Sequence, residues 1–146
     1  LPECPQLKIL RIDGALFFGA VNYVAERLRI LAKRFPDQKR LLILARTITF
    51  IDVAGAEMLV REHRLRQEKG GGVYFHQLQP SARQILEKGG YLNEFGDNHF
   101  FDHKGDAIAG LFDELDKSIC ATCTRRIFNE CKSVPRAVPI PDAADE

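Results

Sequence analysis

The stretch FIDVAGAE, Phe50 to Glu57, decides how the chain is read. An apolar run ends at Ile51, an acid follows, and a glycine stands three places further on. From Ala56 the apolar residues Leu59 and Val60 fall at helical steps, and His63 continues the stripe. This is the handover from a β-strand to an α-helix, the seam at which α/β proteins often place function. Asp52 occupies the helix N-cap position, where its carboxylate accepts the free N–H of Ala54 or Gly55 and meets the positive end of the helix dipole. The turn Asp52, Val53, Ala54 and Gly55 holds one carboxylate and no hydroxyl, thiol, imidazole or cation.

If the seam is a strand-to-helix turn, strands and helices should alternate on both sides of it. Upstream, Leu41 to Ala45 are continuously apolar, as a central strand buried on both faces requires. Before them, Val21, Val24, Ala25, Leu28, Leu31, Ala32 and Phe35 make an apolar helical stripe that Pro36 terminates. Earlier still, LKILRIDGALFF (residues 7–18) has two β-rich runs around Asp13-Gly14 and predicts a hairpin of Leu7 to Ile12 with Ala15 to Phe18.

Downstream, Gly70 to Gly72 stop the helix and Val73 to Leu78 form the next strand. Pro80 to Lys88 is a shorter helix ended by Gly89-Gly90, Asn98 to Asp102 a short edge strand, and Asp106 to about Ile119 a last helix. The order predicts an α/β fold: a mixed, mainly parallel sheet of four to five strands flanked by about four helices. The domain runs from 7 to 119, between a linker at 1–6 and a cysteine-containing segment at 120–132. Residues 133–146, SVPRAVPIPDAADE, read as a tail that need not fold.

Net charge is +1, with 28% charged and 45% hydrophobic residues. No overall field favours nucleic acid or an anionic membrane, and no apolar stretch approaches the ~18 residues of a membrane span. The start, LPECPQ, has no initiator Met and no signal-peptide pattern, as expected of a piece of a longer chain. The cysteines cluster unevenly, which predicts a reducing cytoplasm.

Cys120, Cys123 and Cys131 are the candidate metal ligands, since Cys-x-x-Cys can grip one zinc. They need a fourth ligand, for which His99, His103 and Cys4 are candidates only if the fold brings one near. The alternative is a set of reduced cysteines packing a C-terminal turn, and no metal or cofactor is expected. His99 and His103 read as loop histidines, and His63 as half-buried at the sheet. No Ser-His-Asp or Cys-His arrangement can be assembled from local context. Glu57, Glu62 and Glu68 among Arg61, Arg64 and Arg66 make a mixed-sign helix face, a poor surface for nucleic acid.

RIDGALFFGAVNYVAERL (residues 11–28) resembles the start of the STAS domain found at the cytoplasmic end of SulP-type anion permeases. LLILARTITFIDVAGAEML (residues 41–59) resembles the STAS signature of strand, Asp-x-(Ser/Thr/Ala)-Gly turn and helix, and GGGVYF stands where that family has its next strand. The resemblance covers about residues 7 to 119. It implies a regulatory, non-enzymatic domain on the cytoplasmic face of the plasma membrane. Such a domain acts by contact with the membrane part of the same permease or with a soluble cytoplasmic protein.

The family also includes free-standing anti-sigma factor antagonists, switched by phosphorylation of a Ser or Thr two residues after the Asp. That position here is Ala54, which has no oxygen to phosphorylate, and Thr47 and Thr49 lie upstream of it. The resemblance therefore favours the permease domain, with an antagonist-like binding module as the alternative. Nucleotide binding, proposed for STAS domains generally, would fall on the loop Asp52 to Gly55. The carboxylate there opposes a phosphate, and no Gly-rich cradle or Lys accompanies it.

Overall fold

The computed structural model describes residues 2–16 and 18–137. Phe17 and the last nine positions of the expected tail lie outside the described residues. The order is β1 (Leu7–Arg11), β2 (Gly14–Leu16), α1 (Phe18–Arg34), β3 (Arg40–Leu44), β4 (Ile48–Ile51), α2 (Val53–Gln67), β5 (Gly72–His76), α3 (Pro80–Lys88), α4 (Leu92–Phe95), β6 (Phe100–Phe101), α5 (Lys104–Glu114) and α6 (Lys117–Thr122).

The main sheet has the order β1-β3-β5-β6, and all its pairings are parallel. In the centre, Leu42 stands between Ile9 and Tyr74. One face packs Leu41, Ile43, Val73 and Phe75 against Leu28, Leu59 and Leu86 of α1, α2 and α3. The other packs Leu7, Leu42 and Tyr74 against Ile108, Leu111 and Phe112 of α5. The unbroken apolar run of β3 is thus shared between two cores, as a strand covered on both sides must be. The layered α/β architecture is the expected one.

The expected hairpin does not form. β1 pairs with β3, and β2 pairs with β4, both in parallel. A two-residue type I′ turn needs positive φ at both central residues. Here Gly14 has φ +84°, while Asp13 is not among the positive-φ residues. Asp13-Gly14 therefore kinks an extended segment instead of reversing it. The register shifts between Gly14 and Ala15, and the Gly14 N–H bonds Thr47 O at 2.9 Å, so the ladder passes through the kink.

The expected single helix from 106 to 119 is also broken. Leu115 is extended (ψ 152°), and Asp116 caps a new helix by accepting the Ser118 N–H at 2.9 Å. Short acidic side chains favour such caps over helix interiors. The Gln6 amide holds the break open. Its Nε2 donates to Asp116 O at 3.0 Å, and its Oε1 accepts the Asp116 N–H at 2.8 Å.

Gly71 permits the close approach of α2's end to the loop before β3. A Cβ there would lie 1.9 Å from the backbone oxygen of Lys39. Among the described residues no helix is long and apolar enough to cross a membrane.

Candidate functional site

The expected loop sits at the end of β4. Asp52 is extended (φ −95°, ψ −177°), and its carboxylate accepts the Gly55 N–H at 2.9 Å. Its backbone oxygen opens α2 by accepting the Ala56 N–H at 2.9 Å. Of the two candidate amides, Ala54 and Gly55, the structure selects Gly55. The carboxylate therefore occupies the positive end of α2, where a phosphate would have to sit. Val53 is exposed, as is Phe50 three residues earlier, while Gly55 is buried. The corner presents the exposed apolar side chains of Phe50 and Val53 and one capped acid.

Of the two threonines upstream, Thr47 is committed elsewhere. Thr47 precedes β4, and its Oγ1 lies 2.5 Å from Asp13 Oδ1 and 3.0 Å from Ile12 O, pinning the kink. That hydrogen bond, with the Arg11 guanidinium at 2.8 Å, holds the Asp13 carboxyl below its ordinary value. Thr49 is exposed within β4.

Between α1 and α2 runs a groove of about 430 Å³. Its apolar lining includes Ala25, Ala32, Met58 and the exposed Leu65, and it carries six basic and two acidic side chains. Arg66 is buried, bonded to Glu62 Oε2 at 2.7 Å and to Gln38 O at 3.0 Å, so it belongs to the framework. Lys33, Lys39, Arg61 and Lys69 remain exposed around the rim. The sequence shows mixed signs along α2 and basic residues on α1, but not that Lys33 of α1, Lys39 of the loop after it and Lys69 after α2 meet at one rim.

Two of the histidines, His63 and His99, are structural, whereas His103 is exposed at the start of α5. His63, expected to be half-buried, has no exposed surface. Its Nδ1 accepts the Val73 N–H at 2.9 Å, and His99 Nδ1 lies 2.9 Å from Val73 O. His99, expected in a loose loop, stacks on Tyr74 with ring centroids 4.1 Å apart. β6 is only two residues long and pairs with Phe75 and His76, so the two rings satisfy the Val73 peptide where the edge strand is missing. Burial, then the His99 charge, lowers the His63 pKa to about 4. Burial and the neighbouring Glu114 carboxylate push the Tyr74 hydroxyl up to about 12, and it donates to Glu114 Oε1 at 3.1 Å.

The fold does bring Cys4 to the C-terminal cysteines. Cys4, Cys120, Cys123 and Cys131 line one cavity of about 10 Å³ with Gln6 and Arg126. Cys4 and Cys120 are buried, which raises both thiols above their ordinary pKa. All four are free thiols, and His99 is held at Val73 instead. Among the described residues no group of three or more His, Cys, Asp or Glu side chains could hold a metal ion.

Residues 1–107 match the family described as the STAS domain. Over 108 residues, 74% of the chain, the sequence is 28% identical to a putative sulfate transporter, YvdB, of Bacillus subtilis. The match spans only 20% of that protein's length. A sulfate transporter family protein from Wolinella succinogenes superposes with a TM-score of 0.64 at 23% identity, covering 75% of this chain and 87% of that one. The unphosphorylated anti-sigma factor antagonist SpoIIAA superposes at 0.62 and 14% identity, covering 78% and 96%. At these identities the superpositions establish the fold, which both functional classes share.

Proposed function

This chain belongs to the STAS family, and on that premise we propose that it is the cytoplasmic regulatory domain of a SulP-type anion transporter, acting by protein contact. The observation that carries this reading is the sequence match to a sulfate transporter along three quarters of the chain. The chemistry at the corner agrees with it. Asp52 is spent on the helix cap, and Ala54 offers no phosphorylatable oxygen.

The contact partner is the membrane part of the same protein. The α1–α2 groove is the surface that fits such a contact, because a partly apolar lining with more exposed basic side chains (Lys33, Lys39, Arg61, Lys69) than acidic ones (Glu68) favours an acidic, apolar-anchored segment. The decisive experiment starts from the parent reading frame. It should encode a run of hydrophobic spans before Leu1. In that full-length protein, Lys33→Glu with Arg61→Glu should change transport rate, or the cross-linking of this domain to the membrane part, by at least about tenfold. A parent gene without such spans removes the assignment. Unchanged transport and cross-linking remove the surface.

The likeness to SpoIIAA, which spans nearly the whole of that protein, favours one second reading. The domain would then be a binding module for a cytosolic protein of kinase-like fold, without a phospho-switch. This reading requires a soluble partner retained whether or not ATP is added, and capture of membrane-transport partners only excludes it.

A further inference from the structure

The α1–α2 groove adjoins a second cavity, of about 420 Å³, at the end of α1. The two share Phe35, Pro36 and Gln38, and the second runs on to Ile119, Thr122 and Cys123 of α6 and its C-cap. The described chain arrives beside it. Val134 packs at the margin of the second core, and its carbonyl accepts from Arg126 Nη1 at 2.7 Å. The Ala137 N–H then bonds Ala121 O at 3.1 Å, one residue from Thr122. The sequence that follows is VPIPDAADE, Val138 to Glu146. It carries Val138 and Ile140 first, then Asp142, Asp145 and Glu146, and no base. We propose that this segment docks back into the α1–α2 groove of its own chain. Its apolar residues meet the joint at Phe35 and Pro36, and its acids meet the basic rim.

Charge, reach and stiffness each favour this occupant. Lys33, Lys39, Arg61 and Lys69 are exposed at the rim, whereas of the two lining acids Glu62 is bonded to Arg66 and only Glu68 is exposed. The segment supplies the missing sign, and attraction between opposite charges fixes which surface it chooses. Nine residues in the extended form that proline favours span roughly 28 Å. From Phe35 to Arg29, the length of α1 along the groove, is roughly 9 Å at the rise of a helix. The segment can therefore cross the second cavity and still run along the groove. Pro139 and Pro141 fix their own φ angles, so less chain freedom is lost on docking.

Single ion pairs at an exposed rim are weak. Here the anchor at Ala121 makes the difference, because a short tether holds the segment near the groove at an effective concentration on the order of millimolar. Contacts too weak to capture a free peptide then suffice. The docking itself is independent of the transporter reading. Its consequence rests on that reading: the segment competes with the membrane part for one groove, and the partner must displace it.

The test uses the 146-residue chain and a carbodiimide, which joins a carboxylate to a lysine in direct contact with it. Mass spectrometry of the monomer should show links from Asp142, Asp145 or Glu146 to Lys33, Lys39 or Lys69. Their yield should fall at least about fivefold between about 50 and 500 mM salt, as screening of exposed charges requires. Asp142→Lys with Asp145→Lys should lower the links from Glu146 to Lys39 and Lys69 at least about fivefold. Adding Lys33→Glu with Arg61→Glu to that variant should restore them, since the signs are then exchanged. All four positions are exposed or lie beyond Ala137, outside the packed cores. Absence of these links at low salt overturns the proposal. So do links confined to Lys117 and Lys132, links only between molecules, and a charge exchange that restores nothing. None of these measurements involves a membrane part, so they fail or succeed separately from the search for hydrophobic spans in the parent gene.

Discussion

Val73 donates its backbone N–H to Nδ1 of His63 at 2.9 Å, inside a site from which water is excluded. The ring nitrogen must stay unprotonated to accept that bond.

This contact sets a dependence on pH. The His63 pKa is lowered from an ordinary 6.5 to about 4, so between those values the unfolded chain binds the extra proton and the folded one does not. Stability is therefore full above about pH 6.5, falls as pH drops toward 4, and levels off below. At about 1.4 kcal/mol per unit the total is of the order of 3 to 4 kcal/mol. Urea unfolding of the wild type and of His63→Gln, at a series of pH values, should give curves that diverge in this window. Parallel curves would remove His63 as the cause. His76, also lowered by burial, contributes equally to both proteins and cancels in the comparison.

Gly71→Ala should destabilise by at least about 2 kcal/mol, because the new methyl meets the Lys39 carbonyl, a backbone group that cannot swing away. Gly70→Ala, with φ +89° and open space around it, should cost about 1 kcal/mol from backbone strain alone. Thermal unfolding of the two single variants checks the order. Equal losses would mean that the Lys39 backbone yields to the new methyl and the collision costs less than its distance implies.

Asp52→Ala should cost about 1 kcal/mol by leaving the Gly55 N–H without its cap, and Asp52→Asn should restore most of it. Chemical denaturation measures both. A neutral Asp52→Ala would show that the carboxylate serves something other than the helix.

Arg66→Ala should be the most damaging of these changes, at about 3 kcal/mol, since it strands Glu62 and the Gln38 carbonyl in a buried place. Replacing the pair together, Arg66→Met with Glu62→Leu, should recover much of the loss. A double variant no better than the single one would show that the Gln38 contact dominates.

The alternation of elements was legible because each carries its own local signal. The unbroken apolar run of β3 and the Asp52 cap can each be recognised without knowing what lies across the fold. Strand partners cannot. Asp13-Gly14 promises a reversal, and only the competing parallel partners β3 and β4 turn it into a kink. The break at Leu115 depends on Gln6, 110 residues from Asp116 in sequence, which no periodicity reveals. His63 and His99 look alike as isolated letters, and their shared task at Val73 comes from how short β6 is. The groove between α1 and α2 was invisible for the same reason, since its rim is assembled from separate elements.

The stretch recognisable as STAS stops at residue 107, but the second face of the sheet is roofed by residues beyond that point. Leu7, Leu42 and Tyr74 rest beneath Leu111, Phe112, Leu115 and Cys120, with Phe128 and Val134 at the margin. A protein severed at the family boundary would bare a hydrophobic wall and should clump or recruit a second molecule to hide it. The smallest portion able to stand alone in water is thus longer than the portion that kinship identifies.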